Sequence, residues 1–248
     1  LVLLLYAGLT GVGFEAVEWL MGEEADRRPA VVDVEQSDAS HPVARLIQNG
    51  GLGALALAII SAAIVAPIVE EFLFRVLLQG WLERVGAAIR PRAPTFRHYL
   101  PRGLGPVALA AFLFAMLHFR VDAPAVSVRF LCYALAANAV ASVLVMIIAV
   151  GLLKARCGAS AEDFGWQPGA FWGDVRMGLW AFLATAAPIY LLQASLAASL
   201  PAYVSVDPLT LFPVALVLGT LYFRTHRLVP AITYHMALNS VSLAMALY

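Results

Sequence analysis

Residues Gly50–Leu82 read GGLGALALAIISAAIVAPIVEEFLFRVLLQGWL, a run that is apolar enough to enter a lipid bilayer. About 20 predominantly apolar residues suffice for a helix to cross a membrane. Two carboxylates and one guanidinium interrupt the run, at Glu70, Glu71 and Arg75. Because a charged group in hydrocarbon costs on the order of 2.5–3.5 kcal/mol or more, such groups are candidates for function. The run therefore predicts a membrane helix that carries a polar site.

The composition of the whole chain agrees with a membrane protein of several spans. Hydrophobic residues make up 62% of the 248 residues, charged residues make up 13%, and the mean hydropathy is +0.83. The formal net charge is zero, so the charge gives no support for nucleic-acid binding. Cys132 and Cys157 have neither metal-ligand spacing nor a disulfide pattern, and we expect both to be buried as small apolar side chains.

Hydropathy predicts an all-α transmembrane bundle of about seven to eight helices. We interpret the chain as a single integral-membrane domain, 1–248. Pro67 is expected to kink or divide the second span, which is longer than one crossing requires. The predicted spans are 1–20, 50–82, 105–119, 129–153, 177–199, 208–223 and 229–247.

The basic residues between the spans orient the bundle. Segment 84–102 carries five arginines and is expected to face the cytoplasm. Alternation from this segment places ten basic residues inside and five outside, with the N-terminus in the cytoplasm. Only one of the 16 basic residues is a lysine, which is typical of a GC-rich bacterial genome. The predicted location is the bacterial plasma membrane.

The acidic pair and the arginine have different places on the predicted helix. Glu71 and Arg75 are four residues apart with the acid first, which is the better order for an ion pair. Glu70 lies about 100° round the helix and has no local partner. An unpaired carboxylate in a sheltered site can act as a general base. The alternative is an ion-pair network that only fixes helix packing.

Two further pairs have the same spacing of four residues. Phe114 and His118 lie in AAFLFAMLHF, and counting from the arginine-rich loop puts His118 and Glu70 at a similar depth. His235 and Asn239 lie in ITYHMALNS, where a neutral imidazole and a carboxamide are both hydrogen-bond donors. Such donors suit an oxyanion in a low-dielectric site. The alternatives are an interfacial histidine for His118 and interhelical packing for His235 and Asn239.

Together the three motifs resemble a known family. EEFLFR has the form E-E-x-x-x-R, FAMLH the form F-x-x-x-H and HMALN the form H-x-x-x-N. This combination resembles the CPBP family of intramembrane proteases, which includes the Rce1-type CAAX prenyl endopeptidases and bacterial Abi proteins. The resemblance covers about 50–120 and 207–248. Segment 121–206 between them is an unusual helical insertion or a rearrangement, and its SAEDFGWQPGAFWGDVRMGLW resembles a segment that usually precedes the E-E-x-x-x-R helix.

The resemblance implies a CAAX-protease-like intramembrane endopeptidase with a polar active-site cavity inside the membrane. It would hydrolyse peptide bonds of a membrane-associated protein or peptide, with a water activated by a glutamate. The implied catalytic residues are the general base Glu70 and its helper His118, the oxyanion donors His235 and Asn239, and Glu71 and Arg75, which hold the site together.

Several alternatives stay open at this point. No cofactor is expected, but Glu70, His118 and His235 are also a plausible zinc set, which would make the protein a metalloendopeptidase. No H-E-x-x-H helix is present. A non-catalytic membrane scaffold or immunity protein would use the same polar core, and a small proton-coupled transporter would use the charges as relays. A transporter predicts internal repeats, and we find no convincing one. The substrate, and whether it is prenylated, stays open.

Overall fold

The computed structural model describes residues 51–89, 103–118, 128–201 and 206–245. All secondary structure in these ranges is helical, which confirms the all-α class. Short 3₁₀ turns at Glu162–Phe164 and Pro168–Ala170 lie between the third and fourth helices. The six helices are α1 (Gly51–Ile89), α2 (Leu104–Leu117), α3 (Val128–Cys157), α4 (Phe171–Ser199), α5 (Asp207–Thr225) and α6 (Val229–Met245).

Four of these helices, α1, α3, α4 and α5, are long and apolar enough to cross a membrane. Helix α2 is apolar but shorter. The predicted count of seven to eight helices is not confirmed, since the described residues contain six. The predicted span 1–20 lies outside the described residues, as do positions 90–102 of the basic loop.

Helix α1 continues through Pro67 instead of dividing there. It contains two π-helical segments, Ile59–Val65 and Phe72–Gln79, and its Ala66 N–H donates to the carbonyl of Ser61. A proline inside a helix lacks an N–H and clashes with the carbonyl four residues earlier. The wider π turn before Pro67 makes room for the ring, so the helix persists. The two carboxylates end the α-helical piece between the π segments, and π turns are frequent at functional sites.

The described residues form two compact units. The first contains 51–69, 128–157 and 239–245. Its small core has Ala54 and Ala58 at the centre, with partly buried leucines of α1, α3 and α6 packed against them. Small residues let helix backbones approach closely in a membrane. Cys132 is half-buried beside this core, but Cys157 is exposed at the end of α3, so the expectation that both cysteines are buried is wrong.

The second unit contains 70–89, 103–118, 158–201 and 206–238. Helix α4 packs against α6 in this unit, and the two helices approach closely at Gly178. A Cβ there would overlap the carbonyl oxygen of Pro230 and lie 2.9 Å from Cβ of Thr233. One turn further along α6, the hydroxyls of Thr185 and Tyr234 are 2.7 Å apart. Helix α4 therefore fixes the position of α6.

Replacing Gly178 with alanine should destabilise the protein. The new methyl group meets backbone that cannot give way, and overpacking typically costs about 1–3 kcal/mol. Gly173 in the same helix is the matched control because a Cβ there has nothing within 4 Å. We expect thermal unfolding in detergent to show a lower Tm for Gly178→Ala and an unchanged or higher Tm for Gly173→Ala. Equal Tm values for the two variants would contradict the close packing.

Candidate active site

Glu71 and Arg75 form a completely buried ion pair. Nε of Arg75 is 2.9 Å from Oε2 of Glu71, and neither side chain has any exposed surface. The guanidinium carbon lies 5.7 Å from the centre of the Phe114 ring, a distance at which a cation and a π face attract. The pair predicted from the spacing of four residues is therefore present, and it belongs to the second unit.

The two terminal nitrogens of the Arg75 guanidinium are less well satisfied than Nε. Its Nη1 and Nη2 atoms are buried and have no hydrogen-bond partner within the described ranges. Gln79, one turn further along and also fully buried, donates to the carbonyl of Gly219 and to Glu83, both at 3.0 Å. Gln79 is outside the three sequence motifs, although it follows Arg75 by four residues on the same helix. Arg75 thus depends on the Glu71 carboxylate as its charged partner.

The second oxygen of Glu71 binds a histidine from a distant part of the chain. Oε1 lies 3.0 Å from Nδ1 of His235. A carboxylate only accepts, so Nδ1 carries the hydrogen and the neutral ring presents the lone pair of Nε2. This contact does not fit the expectation that neutral His235 donates to an oxyanion. Nε2 of His235 donates only when the ring is doubly protonated.

His118 ends α2 with its ring held by the same helix. Nδ1 lies 2.8 Å from the carbonyl oxygen of Phe114, which accepts, so Nδ1 carries the hydrogen here too. The imidazole packs on the Phe114 ring, with the ring centres 4.5 Å apart. The Phe114 ring also contacts His235, at 5.9 Å between centres. The predicted neighbours Phe114 and His118 are in contact, and Nε2 of His118 is left as an acceptor.

Glu70 lies between the two histidines. Its Oε2 is 3.9 Å from Nε2 of His118 and 3.8 Å from Nε2 of His235. These distances are too long for direct hydrogen bonds, and polar groups at such a separation are commonly bridged by water. The Glu70 side chain is 19% exposed and that of His118 is 29% exposed, whereas Glu71 is sealed. Part of the Glu70 side chain is therefore accessible, whereas the neighbouring carboxylate is enclosed by protein.

Asn239 follows His235 by one turn of α6 and belongs to the first compact unit. Its Nδ2 donates to the carbonyl oxygen of Ala62, at 2.7 Å. This bond satisfies one hydrogen of the carboxamide, and Nδ2 carries a second one. The oxyanion role expected for Asn239 therefore concerns that second hydrogen.

The zinc alternative requires three side chains around one ion. Within the described ranges, no group of three or more histidine, cysteine, aspartate or glutamate side chains has an arrangement suited to a metal. Both histidines use Nδ1 for other bonds, so any metal would have to bind at Nε2 of His118 and of His235 together with Glu70. The ligand set stays a prediction that metal analysis can test.

Comparison with known proteins supports the family resemblance. The family model described as type II CAAX prenyl endopeptidase Rce1-like matches residues 52–158. The match covers less than half of the chain, and it includes the E-E-x-x-x-R and F-x-x-x-H motifs but not HMALN. It also runs through the first part of segment 121–206. No curated protein and no solved structure matches the chain. The match supports the Rce1-like assignment, and together with the apolar helices it indicates an integral membrane protein.

Proposed function

We propose that the chain is an intramembrane endopeptidase of the CAAX-protease type and that Glu70 activates the attacking water. The family match supports the protease class. The observation that carries the mechanism is the position of one partly exposed Glu70 oxygen between Nε2 of His118 and Nε2 of His235. A general base must lie within reach of the proton that it takes, directly or through one water.

In this proposal Glu70 and His118 hold the water between them. One hydrogen of the water is donated to the Glu70 carboxylate and the other to Nε2 of His118, which the bond to the Phe114 carbonyl keeps as an acceptor. A lone pair of the water oxygen attacks the scissile carbonyl. Glu70 takes the proton in the transition state, and protonated Glu70 can later pass it to the leaving amine. A positioned base of this kind contributes about 10²–10⁴-fold to the rate.

His235 and Asn239 are the proposed donors to the tetrahedral oxyanion. Because Nδ1 of His235 binds Glu71, the ring must be an imidazolium to donate from Nε2. The buried Glu71 carboxylate stabilises that cation and orients the ring, as a carboxylate does for a catalytic histidine in other hydrolases. Asn239 would add its second amide hydrogen, one helical turn away.

The substrate class follows from the setting of the site. Glu70 lies in an apolar helix long enough to cross a membrane, which supports a substrate protein or peptide that is held at the membrane. We propose that the protein lies in a bacterial plasma membrane with its N-terminus in the cytoplasm, because the basic residues between the spans favour that side. A lipidated peptide with an internal fluorophore and quencher, supplied in detergent or in liposomes, is a suitable test substrate.

The two histidines should respond differently to replacement by glutamine. His235→Gln has a neutral amide donor in place of the imidazolium and should keep residual activity, because even complete loss of one oxyanion donor costs about 10²–10³-fold in kcat. His118→Gln removes the imidazole acceptor that orients the water and should lower kcat further. Cleavage rates of purified variants of matched folded fraction measure the difference.

Metal analysis tests the same mechanism independently. We expect less than stoichiometric zinc in the purified protein and unchanged cleavage after exhaustive chelation. A zinc mechanism predicts the opposite pattern, with both histidine variants equally inactive and activity lost on chelation and restored by zinc. That pattern would indicate that a metal, and not Glu70, activates the attacking water.

A further inference from the structure

The connection between α3 and α4 contains a rigid turn, residues 160–165. The N–H and hydroxyl of Ser160 both donate to Oδ2 of Asp163, at 2.8 Å. The hydrogen bond from the Ser160 N–H, followed by that from its hydroxyl, lowers the pKa of the Asp163 carboxyl, so the cap is ionised at neutral pH. Gly165 ends the turn with φ +74°, a left-handed conformation that favours glycine. Hydrogen bonds at both ends thus define the shape of the turn.

One side of the turn contacts the helix that carries the acidic pair. The Phe164 ring lies 5.9 Å from the Phe72 ring, at an angle of 53°. Phe72 is buried and directly follows Glu71 in α1. A displacement of Phe164 is therefore passed to the backbone next to the Glu71 carboxylate.

The other side contacts the beginning of the helix that carries His235. The carbonyl of Gly165 accepts a hydrogen bond from the Leu228 N–H, at 2.9 Å. A Cβ on Gly165 would lie 2.8 Å from that nitrogen and 3.0 Å from the carbonyl oxygen of His226. Leu228 precedes His235 by seven residues, about two turns of helix. No side chain at position 165 fits unless the start of α6 moves.

A partly buried ion pair holds the link between α5 and α6 from a second direction. Nη1 of Arg227 lies 3.0 Å from Oδ1 of Asp174, which is fully buried in the first turns of α4. The Arg227 N–H also donates to the hydroxyl of Thr225, at 3.1 Å. The link between α5 and α6 is thus fixed to the beginning of α4 as well as to the turn.

We propose that turn 160–165 is a positioning element that sets the hydrogen bond between Glu71 and His235. The turn contacts the residue next to one partner and the start of the helix that bears the other. Glu71 and His235 lie 3.0 Å apart on different helices, so their contact depends on where each helix is held. Phe164 and Gly165 are positioning residues. The expected effect on kcat rests on the proposed function, whereas the expected effect on the hydrogen bond between Glu71 and His235 does not.

Gly165→Ala tests the proposal, with Gly169→Ala as the matched control. Gly169 also lies in the connection between α3 and α4, and its backbone is not left-handed. A Cβ at this position would have nothing within 4 Å. The Nδ1 proton resonance of His235 in ¹⁵N-histidine-labelled protein in nanodiscs, assigned with His235→Gln, reports the bond to Glu71 without any substrate. We expect Gly165→Ala to lose or shift this resonance and to lower kcat by about 10–10²-fold with little change in KM, because small misplacements of catalytic groups have effects of this size. Gly169→Ala should leave both unchanged.

The outcomes separate positioning from general stability. An unchanged resonance and unchanged kcat in Gly165→Ala would overturn the proposal. So would a lower folded yield in which the folded fraction keeps full kcat, since that is a purely structural effect. If Gly165→Ala does not fold, Phe164→Leu decides with the same readouts, because it keeps an apolar contact and removes only the ring. If the wild-type protein cleaves nothing while the resonance responds as expected, the proposed function fails and the positioning role stands.

Discussion

Replacement of Glu70 by glutamine is expected to abolish peptide cleavage and to leave expression and thermal stability nearly unchanged. Glutamine has the shape of glutamate and keeps its hydrogen bonding, but it cannot take a proton from water. Glu70 has no direct hydrogen bond to either histidine at 3.8–3.9 Å and is partly exposed, so little of the folding energy depends on its charge. Loss of a general base lowers kcat by about 10²–10⁴-fold. Cleavage of the quenched lipopeptide and a thermal unfolding curve measure the two effects.

Glu83→Gln is the matched control for this experiment. Glu83 lies on the same helix and accepts one hydrogen bond from Gln79, which an amide oxygen also accepts. The Glu83→Gln variant should retain wild-type activity and stability. Cleavage that persists in Glu70→Gln would exclude Glu70 as the base. A folded wild-type protein that cleaves no peptide would favour the non-catalytic scaffold instead of a protease.

Replacement of Arg75 by leucine should lower both stability and activity. The substitution leaves the fully buried Glu71 carboxylate without its cation, and breaking a buried pair typically costs about 3–5 kcal/mol. Activity should fall as well, because Glu71 also binds His235. Thermal unfolding in detergent, together with the cleavage rate per folded molecule, checks this expectation.

The double variant Glu71→Gln/Arg75→Leu provides the control. It removes both charges, so it should recover much of the stability that Arg75→Leu loses. It should stay impaired in cleavage, because an amide stabilises the His235 imidazolium less than a carboxylate does. A stable, well-folded but inactive Arg75→Leu protein would contradict the structural role. It would indicate that Arg75 contacts the substrate directly.

Local features of the chain were predictable because neighbours along one helix determine them. The apolar runs predicted helices because their length and composition match what a membrane helix requires, and the described residues are helical there. The Glu71–Arg75 pair followed from a spacing of four residues, and so did the contact of Phe114 with His118. The sequence left open whether Pro67 kinks or divides the helix, because the π turn that accommodates the ring has no clear signal in the sequence.

Contacts between helices could be decided only by the tertiary structure. Glu71 and His235 are 164 positions apart, and no periodicity relates them. Their hydrogen bond fixes which nitrogen of His235 carries the proton, and thus changes the role that the motif alone indicated. The position of Glu70 between two Nε2 atoms likewise depends on how α1, α2 and α6 pack. The sequence by itself determined which residues are polar within apolar helices, because that depends on composition and spacing. The tertiary structure decided which carboxylate is sealed and which is partly exposed, because burial depends on every helix around it.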